Sequence, residues 1–587
     1  MSHKPAITVS RTSAVFSENS WLSALVPAID WLTGFRKLDE LYTRHKFENL
    51  NATAFAERLL ALLDVNVLNT DTLLEAVPEN GPCLLVANHP LGAIEGVALA
   101  LLLSRRRSDV KILANRRLQA FAELAPWFIF TEPLKRGAQG NMSSLRACHR
   151  HLSAGGLLVV FPAGRVASLR PHTDELLDYP WHRSIKSMLR IPGLVTLPVF
   201  IDGRNSRSFY WLGKLHPQLR MMTLMRELLK CKGKTLGFYP AKPIAEMRPE
   251  GRGPVTPNDS QIASLRLLTF LQNPAFVSAG VDPGASELHP LAPAVDKNTL
   301  AAQVAALPPQ QCLVSAGSID VYYSSMAQTP DIVTEIQRLR ESVFRALEEG
   351  SGQPLDGDDF DESYIHLFLF ERSTERIVGG CRLGRTDILL RSGGVNSLYL
   401  NRMFSFGSGF INMTHSCLEM GRSFIAPDFQ RSYQAFQLLF KGIGSFISLF
   451  PQYQTLYGTV SISRQYSPLS TLLIRETLVK STRQVSARRE LSIKVPPEMT
   501  DYVENTPTNL SNLDWLVRQL ETDGKGLPVL LRHYAKMDAR FYALGIDPNF
   551  AGTPGLLLSV DLACLPSKVR QRYLSDKPGN IQYKTKN

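Results

Sequence analysis

Four short apolar runs recur along one stretch of the chain: Cys83–Asn88 (CLLVAN), Val110–Asn115 (VKILAN), Leu157–Pro162 (LLVVFP) and Leu194–Ile201 (LVTLPVFI). Each is short and mostly apolar, so each reads as a buried strand. Helical stretches lie between them, among them Glu95–Ser104 and Ser143–Ser153. Strands that alternate with helices specify an α/β sheet domain. A second α/β pattern follows. It has a helix at Asp331–Leu347, paired strands at His366–Glu371 and Arg376–Leu383, a strand at Ser416–Ile425, a helix at Ser432–Leu449 and a strand at Leu456–Ser463. The halves share no repeat. At 587 residues the chain is too long for one core, and two domains are expected.

Between the two patterns, Val277–Pro309 is rich in alanine and proline and reads as a linker. The expected organisation is a membrane-surface segment at 1–45, a first domain at 46–276, a linker at 277–318 and a second domain at 319–587. In the first segment Trp21, Leu22, Leu25, Val26, Ile29 and Leu32 fall at helical spacing, with Pro27 set to kink or break the run. Such a face suits a helix lying at a bilayer interface or one packed on its own domain. No run of about 18 apolar residues marks a membrane span. The first residues lack a secretory pattern, and the seven scattered cysteines form no Cys-x-x-Cys pair. A cytoplasmic protein, peripheral on the inner face of the membrane, is expected. The +12 formal charge suits lipid headgroups or an acidic carrier, and no nucleic-acid motif is present. No metal site is expected.

Two constellations carry chemistry. Asn88-His89-Pro90-Leu91-Gly92-Ala93-Ile94-Glu95 follows a strand and opens a helix. A histidine there stands at the sheet edge where ligands collect. Glu95 can fix its tautomer, leaving the other ring nitrogen to take a proton from a substrate hydroxyl. Further on, Gly164 permits close backbone approach, and Arg165 with Arg136-Gly137 supplies cations for an anionic headgroup. In the second half, Arg340 and Phe344 share a helix face. The acids Asp356, Asp358, Asp359, Asp361 and Glu362 follow, then Arg382, then Glu419 and Arg422 three apart on a strand. Continued regular pairing would put these last two on opposite faces. Acylation of an amine needs a group such as Glu419 to receive a proton, and acids suit a cationic amino acid.

The first set, in order from Asn88 to Arg204, resembles the glycerolipid acyltransferase family. It has two departures, a longer His-to-acid spacing and Ala163 in place of the usual glutamate, which are similar to the haemolysin-like branch of O-acyltransferases. The second set resembles GNAT-type N-acyltransferases that use acyl-carrier protein. Pro528–Tyr534 and Gly545–Phe550 are similar to the ornithine branch, while Ser467–Asn512 aligns poorly. Tyr433 stands where coenzyme-A-binding members carry a glycine. Joined, the halves resemble bifunctional ornithine-lipid synthases. That resemblance implies catalytic His89, Glu95 and Glu419, and substrate contacts from Asn88, Arg136, Gly137, Gly164, Arg165, Arg340, Phe344, Asp359, Asp361, Arg382 and Arg422. It also implies no bound cofactor, acyl-carrier protein or acyl-CoA as the donor, and an amino acid or lyso-lipid as the acceptor. A lysophospholipid acyltransferase fused to a glycine-acylating domain is the other enzymatic reading. A non-catalytic lipid or carrier-binding scaffold is the third.

Overall fold

A computed structural model describes residues 26–131, 139–170, 175–215, 217–245, 259–277, 288–430, 433–480, 482–506 and 509–574. The chain divides into two compact units, and the division does not follow the chain order. Unit 1 comprises Met1–Ala279 together with Val495–Thr522, and unit 2 comprises Gly280–Lys494 with Asp523–Asn587.

Unit 1 is built on seven strands: β1 Asn66–Leu68, β2 Cys83–Ala87, β3 Val110–Asn115, β4 Phe128–Thr131, β5 Leu157–Val160, β6 Val195–Asp202 and β7 Thr235–Pro240. Their order across the sheet is β1-β7-β6-β2-β5-β3-β4. All neighbours pair parallel except β6 with β7. The four runs seen in the sequence are β2, β3, β5 and β6. The other three are short or carry glycine and proline, so their pattern is weak. Every residue of β2 is buried, between β5 and β6, as a strand covered on both faces must be. The helix Ile94–Ser104 that follows is buried nearly all round, and its first ten residues have almost no exposed surface. Truncating one of its leucines to alanine would cost about 2–5 kcal/mol.

Among the described residues the main sheet of unit 2 has eight strands: β8 Cys312–Ala316, β9 Ile319–Ser325, β10 Ile365–Glu371, β11 Arg376–Arg385, β12 Cys417–Ile425, β13 Thr455–Ser461, β14 Arg540–Asp547 and β15 Thr553–Asp561. The order is β8-β9-β10-β11-β12-β13-β15-β14. Only β12 and β13 run parallel. They pair from Cys417↔Thr455 to Met420↔Gly458 and no further.

Two sequence expectations change. The linker expected at 277–318 holds a helix, Lys297–Ala305, capped by Asp296, and the edge strand β8. Alanine favours that helix, and its Leu300 is buried. The second domain therefore begins before 319. The last part of the poorly aligned stretch Ser467–Asn512 falls in Val495–Thr522, which leaves unit 2 and packs its helices Pro497–Asn505 and Leu510–Leu520 on the helix Asp259–Phe270 of unit 1. At the start, Pro27 lies in the described helix Val26–Thr33. Trp31 and Leu32 of that helix are exposed, while Asp30 and Thr33 are buried. Trp21, Leu22 and Leu25 lie outside the described residues. Among the described residues no helix is long and apolar enough to cross a membrane.

Candidate active sites

In unit 1 the C-terminal end of β2 delivers Asn88 and His89 to the sheet edge. Asn88 is not free for a substrate. Its amide donates to the Ile201 carbonyl at 2.9 Å and accepts from the Ile201 N–H at 2.6 Å. It ties β2 to the end of β6 and so positions its neighbour, which corrects the expected substrate contact. The turn after His89 needs Gly92: its φ is +105°, and a Cβ there would lie 2.7 Å from Leu224 and 2.8 Å from Val166.

Glu95, in the first turn of the next helix, is fully buried. Its Oε1 accepts from the N–H groups of Leu91 at 3.0 Å and Gly92 at 2.6 Å and lies 3.0 Å from Nδ1 of His89. Burial pushes this carboxyl up, but the His89 ring and the Gly92 N–H outweigh it and hold it below the usual glutamate range. Glu95 is therefore ionised, and Nδ1 of His89 carries the proton that faces it. Nε2 is left as the acceptor, in a side chain that keeps 17% exposure. Phe161 stacks on the ring, with centroids 4.4 Å apart. Gly164 takes φ +61° in the turn that follows, and Arg165 is exposed with its guanidinium over Tyr179. Arg136 and Gly137 lie outside the described residues.

Sequence reasoning missed Asp178. It is buried and accepts from the His89 backbone N–H at 3.3 Å and from the Trp181 indole at 3.2 Å. Burial pushes it up to about 6, against those two donors. Nothing in the local pattern of residues 175–182 marks it, because its partner lies 89 residues earlier.

In unit 2 the acidic loop closes on arginines. Asp361 binds Arg340 through both oxygens, at 3.0 and 2.9 Å, and Arg382 at 3.1 Å. Asp358 binds Arg382 at 3.0 Å. Asp356 lies 3.0 Å from Arg340 and 3.1 Å from Arg422. Burial raises Asp361, but Arg340 and Arg382 overcome it and hold the carboxyl far below the usual range. These acids are consumed by the arginines and are not open to a cationic substrate. Arg340, Asp361 and Arg382 therefore form a buried brace and not the expected substrate contacts. Asp359 is exposed, outside this network.

Arg422 does not simply alternate with Glu419. The pairing of β11 with β12 shifts by one residue between Gly380 and Arg382, and Arg422 takes φ +53° in the bulge. A non-glycine residue in that region is costly and marks a site held by its surroundings. The bulge, beyond the last β12–β13 pair, opens a cavity lined by Arg422, Phe344, Thr459, Asp547 and Phe550 among others. Phe344 meets Phe550 edge to face at 4.9 Å. Asp547 is buried and accepts from the Tyr399 hydroxyl and from the Asn549 N–H. Sequence reasoning did not single out Asp547. The signal for it is the segment Gly545–Phe550 that contains it, through the similarity of that segment to the ornithine branch.

Glu419 is outside this cavity lining. It accepts from the Tyr364 hydroxyl and from the Leu400 N–H, each at 2.7 Å, and is 2% exposed. Burial pushes it up to about 7, against those donors. Enclosed in this way, it holds Tyr364 and the turn at Leu400.

The two halves match two family descriptions: "Acyltransferase" over residues 27–238 and "Acetyltransferase (GNAT) domain" over residues 339–440. A lyso-glycine lipid O-acyltransferase of Phocaeicola vulgatus is 30% identical over 197 residues, 32% of this chain and 68% of that protein. This chain belongs to the acyltransferase family. A glycine N(alpha)-acyltransferase of Bacteroides thetaiotaomicron is 25% identical over 286 residues, 45% of this chain and 84% of that protein. A solved CoA-dependent acyl-homoserine lactone synthase is 16% identical and covers 32% of this chain and 87% of that chain, at a TM-score of 0.18 that supports no argument. The acyltransferase has two domains of different kind, an N-terminal acyltransferase domain and a C-terminal GNAT domain, both α/β.

Proposed function

We propose that this acyltransferase makes an amino-acid lipid in two steps, N-acylation in unit 2 and O-acylation in unit 1. The observation that carries the first step is the presence of Arg422 and Asp547 in one cavity. A guanidinium suits the carboxylate of an α-amino acid, and an adjacent carboxylate suits its amine. Asp547 takes the amine's proton, the nitrogen forms the amide bond with the thioester carbonyl, and the C–S bond breaks to release a thiolate that is then protonated. With a 3-hydroxyacyl group, the product carries a new alcohol. In unit 1 Nε2 of His89 takes that alcohol's proton, its oxygen forms the ester bond, and a second thiolate leaves and receives the proton.

Ornithine is the acceptor in our reading, in keeping with the Pro528–Tyr534 and Gly545–Phe550 segments. Glycine is the second reading, favoured by the names of the relatives. Acyl-carrier protein is the proposed donor. Tyr433 is 61% exposed where a glycine would let a pyrophosphate approach, and the chain carries a +12 charge that suits an acidic carrier. The exposed Trp31 and Leu32 support attachment to a membrane surface.

Lipid extraction from cells fed isotope-labelled ornithine or labelled glycine tests this reading. Wild-type cells are expected to show a doubly acylated labelled lipid from ornithine. His89→Ala cells should accumulate the mono-acylated form, and Arg422→Ala cells should show neither. Label from glycine alone would establish the second reading, and profiles equal to an empty vector would end both.

A further inference from the structure

Near the His89 site, unit 1 holds a cavity of about 530 Å³ that no part of the acyl-transfer chemistry above uses. Its walls come from Trp181, from Ile262 and Arg266 on the helix Asp259–Phe270, and from Glu498, Asp501 and Tyr502 on the helix Pro497–Asn505. That last helix belongs by sequence to the second half of the chain. The cavity adjoins the catalytic turn through two bonds: the Trp181 indole donates to Asp178, which accepts from the His89 N–H.

Glu498 is the unexplained group. It is 6% exposed, lines the cavity, and among the described residues its carboxylate meets no side-chain hydrogen-bond or ion-pair partner, only its own backbone N–H. The cation that acts on it, Arg266, makes no ion pair with it: its terminal nitrogens bind Asp501 and donate to the Asp178 carbonyl at 3.3 Å. The other charges that act on Glu498 are Glu175 and Asp178, both negative. Burial pushes Glu498 up to about 7. A buried carboxyl in such a place either takes a proton or is matched by a cation that enters beside it. Among the described residues no group of three His, Cys, Asp or Glu is arranged to hold a metal ion. A single carboxylate facing a cavity suits a monovalent organic ammonium.

We propose that this cavity receives the ammonium group of the lyso-lipid acceptor, with Glu498 as its counter-ion. The inference rests on the amino-acid-lipid reading above and deepens it. The two candidate acceptors differ here in charge. An N-acylated ornithine keeps a δ-ammonium, whereas an N-acylated glycine keeps no cation. A counter-ion in the O-acylation domain therefore selects the first. It also gives the segment 495–522 a role in recognition, because acceptor specificity in unit 1 is then set by residues that the chain places after most of unit 2.

The test uses the full chain and two synthetic lyso-lipids, N-(3-hydroxyacyl)ornithine and the same molecule acetylated on its δ-nitrogen. The wild type is expected to show a KM about 10-fold or more lower for the ammonium lipid, the scale of one charge-assisted contact. In Glu498→Gln the ratio of the two KM values is expected to fall toward one. Equal KM values in the wild type, or an unchanged ratio in Glu498→Gln, would overturn the proposal. Should that variant not fold, the wild-type comparison decides alone. Failure of the broader reading looks different: no ester would form on either lipid.

Discussion

Nδ1 of His89 and Oε1 of Glu95 lie 3.0 Å apart, and the carboxylate of the pair has no exposed surface. Glu95 is thus given over to holding one imidazole and two N–H groups of one turn. Glu95→Gln is expected to lower the O-acylation kcat by about 10²-fold or more, the range for loss of a positioned general base. His89→Ala should abolish ester formation and leave the N-acylated intermediate. Chromatography of extracted lipids distinguishes the two, and an unchanged ester yield in His89→Ala would refute the assignment.

The brace of Arg340, Arg382, Asp358 and Asp361 governs stability. Arg340→Ala leaves Asp361 to Arg382 and Asp356 to Arg422, each with one ion-pair partner fewer, and should cost about 3 kcal/mol in unfolding of the C-terminal unit. Because Arg340 and Arg382 hold Asp361 below its ordinary value, the folded state keeps the carboxylate where the unfolded chain would protonate it. Their contribution is therefore complete above the usual aspartate value of about 4 and is lost as pH falls below it. Urea unfolding at neutral and acid pH measures both effects. A wild type equally stable at both would contradict the scheme.

Glu419 has the opposite sign. Its folded value of about 7 lies above the ordinary 4.5, so the unfolded chain ionises first. Stability from this group is greatest at low pH and declines as pH rises from about 4.5 to 7. Glu419→Gln should flatten that decline while keeping an acceptor oxygen for Tyr364 or Leu400. A direct proton-accepting role would show instead as loss of the N-acylation pH limb in this variant.

Arg422 and Asp547 should separate binding from proton transfer. Arg422→Lys keeps a charge but loses the planar fork, and it is expected to raise the KM for the amino acid by about 10-fold. Asp547→Asn should lower kcat by about 10²-fold with a smaller change in KM. Steady-state kinetics with the amino acid varied reads both, and equal effects on KM and kcat in the two variants would reject the division of roles.

Strand and helix boundaries near the motifs were legible because the central strands are buried on both faces and leave apolar runs. Cys83–Asn88 and Val110–Asn115 match β2 and β3 to within a residue. His89 and Glu95 were legible for a similar reason: one turn separates them. The acidic loop misled because charge in a sequence does not show its partners. Asp356, Asp358 and Asp361 read as open to a substrate, yet three arginines from one helix and two strands meet them.

The chain's own order of residues determined the two α/β domains, their type and the pairing of His89 with Glu95, since period and motif are local properties. Only the tertiary structure decided that Asn88 serves β6, that Arg422 turns out of a bulge into the cavity with Asp547, and that residues 495–522 complete the first domain. Each of these depends on contacts between residues far apart in the chain, where burial and charge pairing outweigh local preference.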